Sequence, residues 1–265
     1  AHCLDASTEA AILAVVDTEF IANHMKTIVN MDRFGLSAML DGQRVDELEL
    51  TYTLLERVAG GRELLLDALT EYIVSKGKLL VADKMMEAKN GAKKRDPKAW
   101  VAGLLESKEK YDVILRDAFH ANRKYKTAIY KAFETFINLN PRSPEYLSLF
   151  IDGQLKKGLK GVTEDEVDAV LDRAMTLFRF LEDKDVFESY YKQHLARRLI
   201  FGRSVSNDFE QNMISKLKAE CGFQFTSKLE GMFTDMSVSK ETMEKFKLFL
   251  DSRPKKREAM GGIEL

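Results

Sequence analysis

Apolar residues recur along this chain at steps of three and four, the spacing of one face of an α-helix. Ile12, Val15, Val16, Phe20 and Ile21 begin the pattern, and Met25, Ile28 and Val29 continue it. Ser7 or Thr8 stands where a hydroxyl can accept from a free backbone N–H and cap that helix. A short helix is predicted around Leu36 to Leu40, ending at Asp41-Gly42. Another runs from Asp46 through Leu48, Tyr52, Leu55 and Val58 and stops at Gly60-Gly61. The next covers Leu64 to about Val81, with Leu65, Leu69, Tyr72 and Ile73 on one face. Asp96-Pro97 supplies an N-cap followed by proline at the first helical position, opening a helix with Val101, Leu104, Leu105, Tyr111 and Leu115. A further helix holds Tyr125, Ile129, Phe133 and Phe136. No segment longer than six residues alternates with period two, so no strand is predicted.

The clearest boundary is Asn138-Leu139-Asn140-Pro141-Arg142-Ser143-Pro144, because the two prolines disfavour helix in the residues before them. Ser143 is the expected cap of a new helix carrying Leu147, Phe150, Ile151 and Leu155 and ending at Gly158. Thr163-Glu164-Asp165-Glu166 reads as a capping box, in which hydroxyl and carboxylate satisfy each other's backbone donors. Val167, Val170, Leu171, Ala174, Leu177, Phe178 and Leu181 follow as a helical stripe. After a junction at 182–185 come Val186, Phe187, Tyr190, Tyr191, Leu195 and Leu199, as far as Gly202. A helix from Ser206-Asn207 carries Met213, Ile214 and Leu217 and ends at Cys221-Gly222. Ser227 to Glu230 repeats the capping-box spacing, and a last helix is expected after Ser239. At least four amphipathic helices joined by short loops make a helix bundle.

Composition supports an all-α protein. The 265 residues contain 4 Pro, against roughly 13 at an average usage of ~5%. The formal charge of -1, from 41 Lys+Arg and 42 Asp+Glu, argues against a nucleic-acid binder. No apolar run approaches the ~20 residues that cross a bilayer, so no membrane partner is expected. Two Cys cannot build a disulfide framework, which favours a reducing compartment, cytoplasmic and/or nuclear. The chain begins at Ala1 without an initiator Met, as an internal piece of a longer protein would.

Candidate chemistry is sparse. His2, Cys3, His24, His120, His194 and Cys221 show none of the paired spacings of zinc sites, and no cofactor motif is present. Cys221, beside a helix-ending glycine, reads as a small packed residue. The acids Glu164, Asp165 and Glu166 favour the positive end of a helix dipole and need no catalytic role. Two basic features remain. Residues 84–98 hold six cations (Lys84, Lys89, Lys93, Lys94, Arg95 and Lys98) and read as a solvated loop. Lys192, Arg197 and Arg198 form a basic face near a helix C-terminus, favourable there for the dipole and also a candidate partner contact.

The stretch Asp185-Val186-Phe187-Glu188-Ser189-Tyr190-Tyr191-Lys192-Gln193-His194-Leu195-Ala196-Arg197-Arg198-Leu199 resembles the signature of the cullin family. So do Asn212 to Gly222 and Phe225 to Met236, and together they form a long, nearly continuous likeness. Asn138 to Asp152 and Lys156-Lys157-Gly158-Leu159-Lys160-Gly161 are similar to the family's third paralogue, the branch that takes BTB-domain adaptors. His2-Cys3-Leu4-Asp5 and His24 to Val29 agree, and the likeness is weakest across 84–98.

That resemblance implies a helical cullin-repeat stalk segment followed by a four-helix bundle. Residues 1–140 would hold the end of the second repeat and the whole third repeat. Residues 141–253 would be the bundle that opens the C-terminal region, and 254–265 a linker into an α/β subdomain outside the chain. The implied function is a non-catalytic scaffold of a cullin-RING ubiquitin ligase. Its partners would be BTB-domain substrate adaptors and a RING subunit, with Nedd8 on a lysine, all through regions beyond these residues. Such a scaffold acts by proximity, so the residues expected to matter are packing ones: Phe178, Phe187, Tyr191, Leu195, Leu217, Leu229 and Phe233. The competing reading is a helical-repeat interaction module unrelated to ubiquitin, with 84–98 as its contact.

Overall fold

The computed structural model describes residues 6–82, 86–87, 93–94, 96–158, 161 and 163–252. Among these the chain is all-α apart from one ladder: Met86↔Lys94 and Glu87↔Lys93 pair antiparallel as β1 (Met86–Glu87) and β2 (Lys93–Lys94). A two-residue ladder is too short to leave a period in the sequence. Most of the predicted basic loop at 84–98 lies outside the described residues. The chain divides into two compact units. The first is Ala1–Ser143 with Phe180–Glu182, and the second is Pro144–Arg179 with Asp183–Leu265.

The first unit contains α1 (Ala6–Val16), a π-helical turn (Asp17–Ala22), α2 (Met25–Val29), α3 (Leu36–Asp41), α4 (Val45–Glu56), α5 (Gly61–Val81), α6 (Pro97–Asp117) and α7 (Arg123–Ile137). Its main packing is α5 against α7. Leu65, Leu69, Tyr72, Ile73, Gly77 and Val81 line one face of α5, and Tyr125, Ile129, Ala132, Phe133, Phe136 and Ile137 line the buried face of α7. Aromatic rings knit the unit together. Tyr125 stacks on Phe119 with centroids 4.7 Å apart and meets Tyr52 edge-on at 5.2 Å. Phe180 closes on Tyr130 at 5.5 Å and Phe133 at 5.6 Å. Asn138 fixes that segment, donating from Nδ2 to the Phe180 carbonyl (2.8 Å) and accepting at Oδ1 from the Glu182 N–H (3.1 Å). Buried Asn140 donates to the carbonyl of Val81, which would otherwise be orphaned at the end of α5.

Several starts and stops follow the local chemistry. The Asp96 carboxylate accepts from the Lys98 N–H at 2.9 Å with Pro97 at the first helical position. The expected cap Ser143 is corrected: it is the first residue of the helix Ser143–Gly153 and fully buried, and its hydroxyl donates back to the Ile137 carbonyl at 2.7 Å. The predicted start of the first helix is corrected: α1 is described from Ala6 onward, which places Ser7 and Thr8 inside it. Its stripe is corrected too, since Val15 is 61% and Phe20 72% exposed, and Ile12 and Val16 are exposed as well. Because α1 is apolar on nearly every side, its periodicity marks a helix without marking which side is covered.

The second unit contains α8 (Ser143–Gly153, whose first residue belongs to the first unit), a π-helical turn (Gln154–Gly158), α9 (Glu164–Phe178), α10 (Lys184–Ile200), α11 (Asn207–Cys221) and α12 (Phe223–Asp251). The capping box at the head of α9 is complete. Thr163 Oγ1 accepts from the Glu166 N–H (3.4 Å), and the Glu166 carboxylate accepts from the Thr163 N–H (3.1 Å). Ser206 caps α11 through the Asp208 N–H. Gly222, at φ +84°, turns the chain between α11 and α12 in a conformation that disfavours a Cβ. The predicted break inside the last segment is corrected: α12 is one helix of 29 residues, with Ser227 and Ser239 in its interior. The Ser-x-x-Glu spacing is also that of two residues on one helix face, so it cannot by itself mark a start.

At Gly77, α5 packs directly against the Phe136 ring of α7. A Cβ there would lie 2.2 Å from the Phe136 ring. Gly77→Ala is expected to force the two helices apart and cost the first unit about 1–3 kcal/mol, a typical overpacking penalty. Denaturant unfolding followed by near-UV circular dichroism reads this, and an unchanged midpoint would contradict the close approach.

Candidate functional site

Helix α10 turns four residues at steps of three and four into the second unit: Phe187, Tyr191, Leu195 and Arg198. The first three belong to the predicted apolar stripe, which is corrected at Val186, 42% exposed. The rings of Phe178 and Phe187 meet at 4.9 Å, Phe187 stacks on Tyr191 at 5.7 Å, and Phe225 reaches Phe178 at 6.1 Å. The fourth is a guanidinium with 0% exposure. An unpaired charge so placed would be prohibitively costly, so the surrounding sequence must answer it.

It does so from two other helices. Glu210 of α11, also 0% exposed, accepts from Arg198 Nε at Oε1 (2.6 Å) and from Nη2 at Oε2 (2.8 Å), a two-point fork. Asp152 of α8 accepts from Nη1 at Oδ1 (2.8 Å), and its Oδ2 accepts from Lys156 Nζ (2.7 Å). Two cations thus face two carboxylates. The Ser204 hydroxyl donates to Glu210 Oε1 at 2.7 Å, and the Val205 N–H donates to the Leu155 carbonyl at 2.9 Å. The loop after α10 is thereby held to the same cluster. The guanidinium carbon also stands 5.5 Å from the Tyr191 ring centroid.

The electrostatics match this geometry. Burial pushes the Asp152 carboxyl up, but hydrogen bonds from Lys156 and Arg198 outweigh it and hold the group below its ordinary 3.8. Burial opposes the charge on Arg198, yet Glu210 and Asp152 keep it more firmly protonated than usual. Burial drives the Tyr191 hydroxyl up, and burial likewise holds the His194 imidazole below 6.5, only partly countered by Asp152. Ser148 Oγ, Tyr191 Oη and His194 Nε2 are buried polar atoms that make no hydrogen bond among the described residues. The half-buried Cys221 thiol is raised by burial, which disfavours the thiolate. Among the described residues no three His, Cys, Asp or Glu side chains are grouped to hold a metal ion, and no helix is long and apolar enough to cross a membrane.

Of the residues singled out from the sequence, Phe178, Phe187, Tyr191, Leu195, Leu217 and Leu229 are fully buried in this unit. Phe233 is only half-buried, because α12 leaves the core beyond it. The basic face is corrected at one position. Lys192 and Arg197 reach solvent, whereas Arg198 is a core residue one turn beyond Leu195 and cannot touch a partner. Asp152 and Glu210 escaped the sequence reading, although a signal existed: Glu210 stands three and four residues before Met213 and Ile214, so it interrupts an apolar face.

Comparison with known proteins gives this arrangement a family context. The family model for the cullin alpha solenoid domain matches residues 1–243. "Cullin-3" of Dictyostelium discoideum is 48% identical over 254 residues, covering 96% of this chain and 32% of the relative. "Cullin-3A" of Arabidopsis thaliana is 49% identical over 246 residues, covering 93% and 33%. "Cullin-4A" of Homo sapiens is 40% identical over 251 residues, covering 94% and 31%. The chain therefore spans about a third of the length of these relatives.

Two outcomes follow from the cluster. Arg198→Met leaves Glu210 buried and uncompensated and is expected to cost about 3–5 kcal/mol, whereas Arg198→Met with Glu210→Leu and Asp152→Leu should recover most of that loss. Urea unfolding of the three proteins tests it, and a triple variant no better than the single one would refute the balance of charges. The His194 imidazole faces Asp152 and Lys156 from α8 and its following turn, and Arg197 and Arg198 from its own helix. Its folded value is depressed, so its neutral form is fully favourable above about 6.5, and stability is lost as pH falls from there through the folded value. His194→Gln should flatten the pH dependence of the melting temperature between pH 7.5 and 5 (roughly one unit above and one and a half below that value), and an unchanged slope would show that another group controls it.

Proposed function

The chain belongs to the cullin family, and from that premise we propose that it is a connector segment of a non-catalytic scaffold in a cullin-RING ubiquitin ligase. The similarity to cullins across nearly its whole length is the observation that carries this reading. In it the first unit contributes the end of the second and all of the third cullin repeat, and the second unit the bundle that opens the C-terminal region. The finer assignment is to the BTB-adaptor branch, supported by relatives bearing the Cullin-3 name. BTB-domain adaptors, a RING subunit and Nedd8 would then engage regions of the protein outside these 265 residues.

The chemistry of a scaffold is proximity. It raises the effective concentration of a substrate lysine near an activated conjugate, and that gain depends on geometry being held. The buried charge cluster and the aromatic packing around Phe187 suit this task, since both tie helices together in one arrangement. Half-buried Lys192 and exposed Arg197 remain candidate partner contacts, and Arg198 acts by bracing the helix that presents them.

Co-purification of the full-length protein with a RING subunit and with BTB-domain adaptors tests the assignment. Capture of both is the expected result. Failure to bind either, with all partners shown to be folded, would sink it. In reconstituted ubiquitination, Lys192→Glu with Arg197→Glu should slow transfer several-fold at low salt and less at high salt, as screened surface charges do.

A further inference from the structure

Helix α7 of the first unit carries a charge pattern that its own folding does not explain. Arg123 and Lys124 occupy its first positions, followed by Lys126 and Lys131, and no acid stands in its first turn. Positive charge at a helix N-terminus opposes the macrodipole. The first turns of α4, α5, α10 and α11 carry Asp or Glu, whereas those of α6 and α12, like that of α7, carry none. All four cations are exposed, and none forms an ion pair among the described residues, although Lys124 is near enough to Glu56 of α4 to help Arg62 hold that carboxyl low. The buried face of α7 is consumed by the core; Lys124 and Lys131 share the side turned away from it, with Arg123 and Lys126 on its flanks. Glu134 is the sole acid of the helix, and the full chain carries a net -1, so the excess is local.

We propose that this face of α7 is a docking surface for an acidic, extended segment of a partner protein. Spacing supports that occupant. Lys124 and Lys131 are seven residues apart on one side of the helix, roughly 10.5 Å at 1.5 Å per residue. In an extended chain of polyproline II type, with three residues per turn and about 3.1 Å per residue, carboxylates three residues apart lie on one side about 9 Å apart, so both can be met at once. Nucleic acid fits less well, because base stacking needs free aromatic faces. Tyr130 is the aromatic residue on this side, and its ring already faces Lys108 Nζ at 4.7 Å and Lys126 Nζ at 5.5 Å. The proposal is independent of the ubiquitin-ligase reading.

The test uses the 265-residue chain and a fluorescein-labelled peptide of four Glu-Ser-Gly repeats, with the Gln-Ser-Gly peptide and a single-stranded oligonucleotide of equal length as controls. Anisotropy should show binding to the Glu peptide that weakens at least about tenfold between 50 and 300 mM salt, as screened charges require. Lys124→Glu with Lys131→Glu should weaken it by about tenfold or more with little change in melting temperature, since a glutamate at 124 suits the helix N-terminus and position 131 is exposed in mid-helix. Equal binding by the variant, equal binding of the Gln peptide, or tighter binding of the oligonucleotide would each overturn the proposal.

Discussion

The second unit is organised around the constraint that a guanidinium sits where water cannot reach it. Once Arg198 is inside, α8 and α11 must each bring a carboxylate to fixed points around it, and the turn after α8 must bring a second cation to balance them. Register is thereby specified in a way that apolar packing alone does not achieve. A leucine can slide against its neighbours at modest cost, but a carboxylate displaced by one turn leaves a buried charge unanswered. The cluster need not make the unit more stable than an apolar core would. Its physical effect is to penalise every arrangement of α8, α10 and α11 except one.

The first unit reaches a single arrangement by a different route. One close approach depends on the absence of a side chain at Gly77, which lets α5 approach the Phe136 ring of α7. Rings then fill the space on either side, from Tyr52, Phe119 and Tyr125 to Tyr111, Phe133 and Phe180. Among the described residues of this unit the one buried cation is Lys108, answered locally by Asp112 a turn along its own helix and by the face of Tyr130. The charge is satisfied within one helix pair and places no demand on distant elements. The two units thus illustrate two ways of fixing helices, by steric exclusion and by charge bookkeeping.

Much of this was legible in the sequence because helices announce themselves locally. Asp96-Pro97, Thr163 to Glu166 and Ser206 mark starts through chemistry confined to one turn, and the structure uses all three. Apolar spacing likewise identified the buried faces of α5, α7 and α10. What could not be read depends on which surfaces meet. The periodicity of α1 is sound, yet most of its apolar residues face solvent, because a helix apolar all round carries no directional information. Ser227 looked like a cap because a capping box and a helix face share their spacing. Arg198 looked like a surface charge because composition assigns arginine to the outside, and its partners lie 46 and 12 residues away in sequence.

The contrast between Arg198 and its neighbours on α10 bears on the proposed scaffold role. Along that helix, Arg197 reaches solvent and Arg198 is sealed in, so adjacent residues of one type have opposite duties. Neutralising Arg197 alters a surface potential that salt can screen, whereas neutralising Arg198 alters the bundle that presents it, and salt cannot compensate. An arginine-to-lysine exchange separates the two further. An exposed ammonium at 197 conserves the charge, but a lysine at 198 loses the fork that meets both oxygens of Glu210. For a protein whose proposed work is to hold partners at a set separation, the buried arginine governs geometry and the exposed one governs encounter. Sequence position alone does not distinguish them; the helical phase set by Phe187, Tyr191 and Leu195 does.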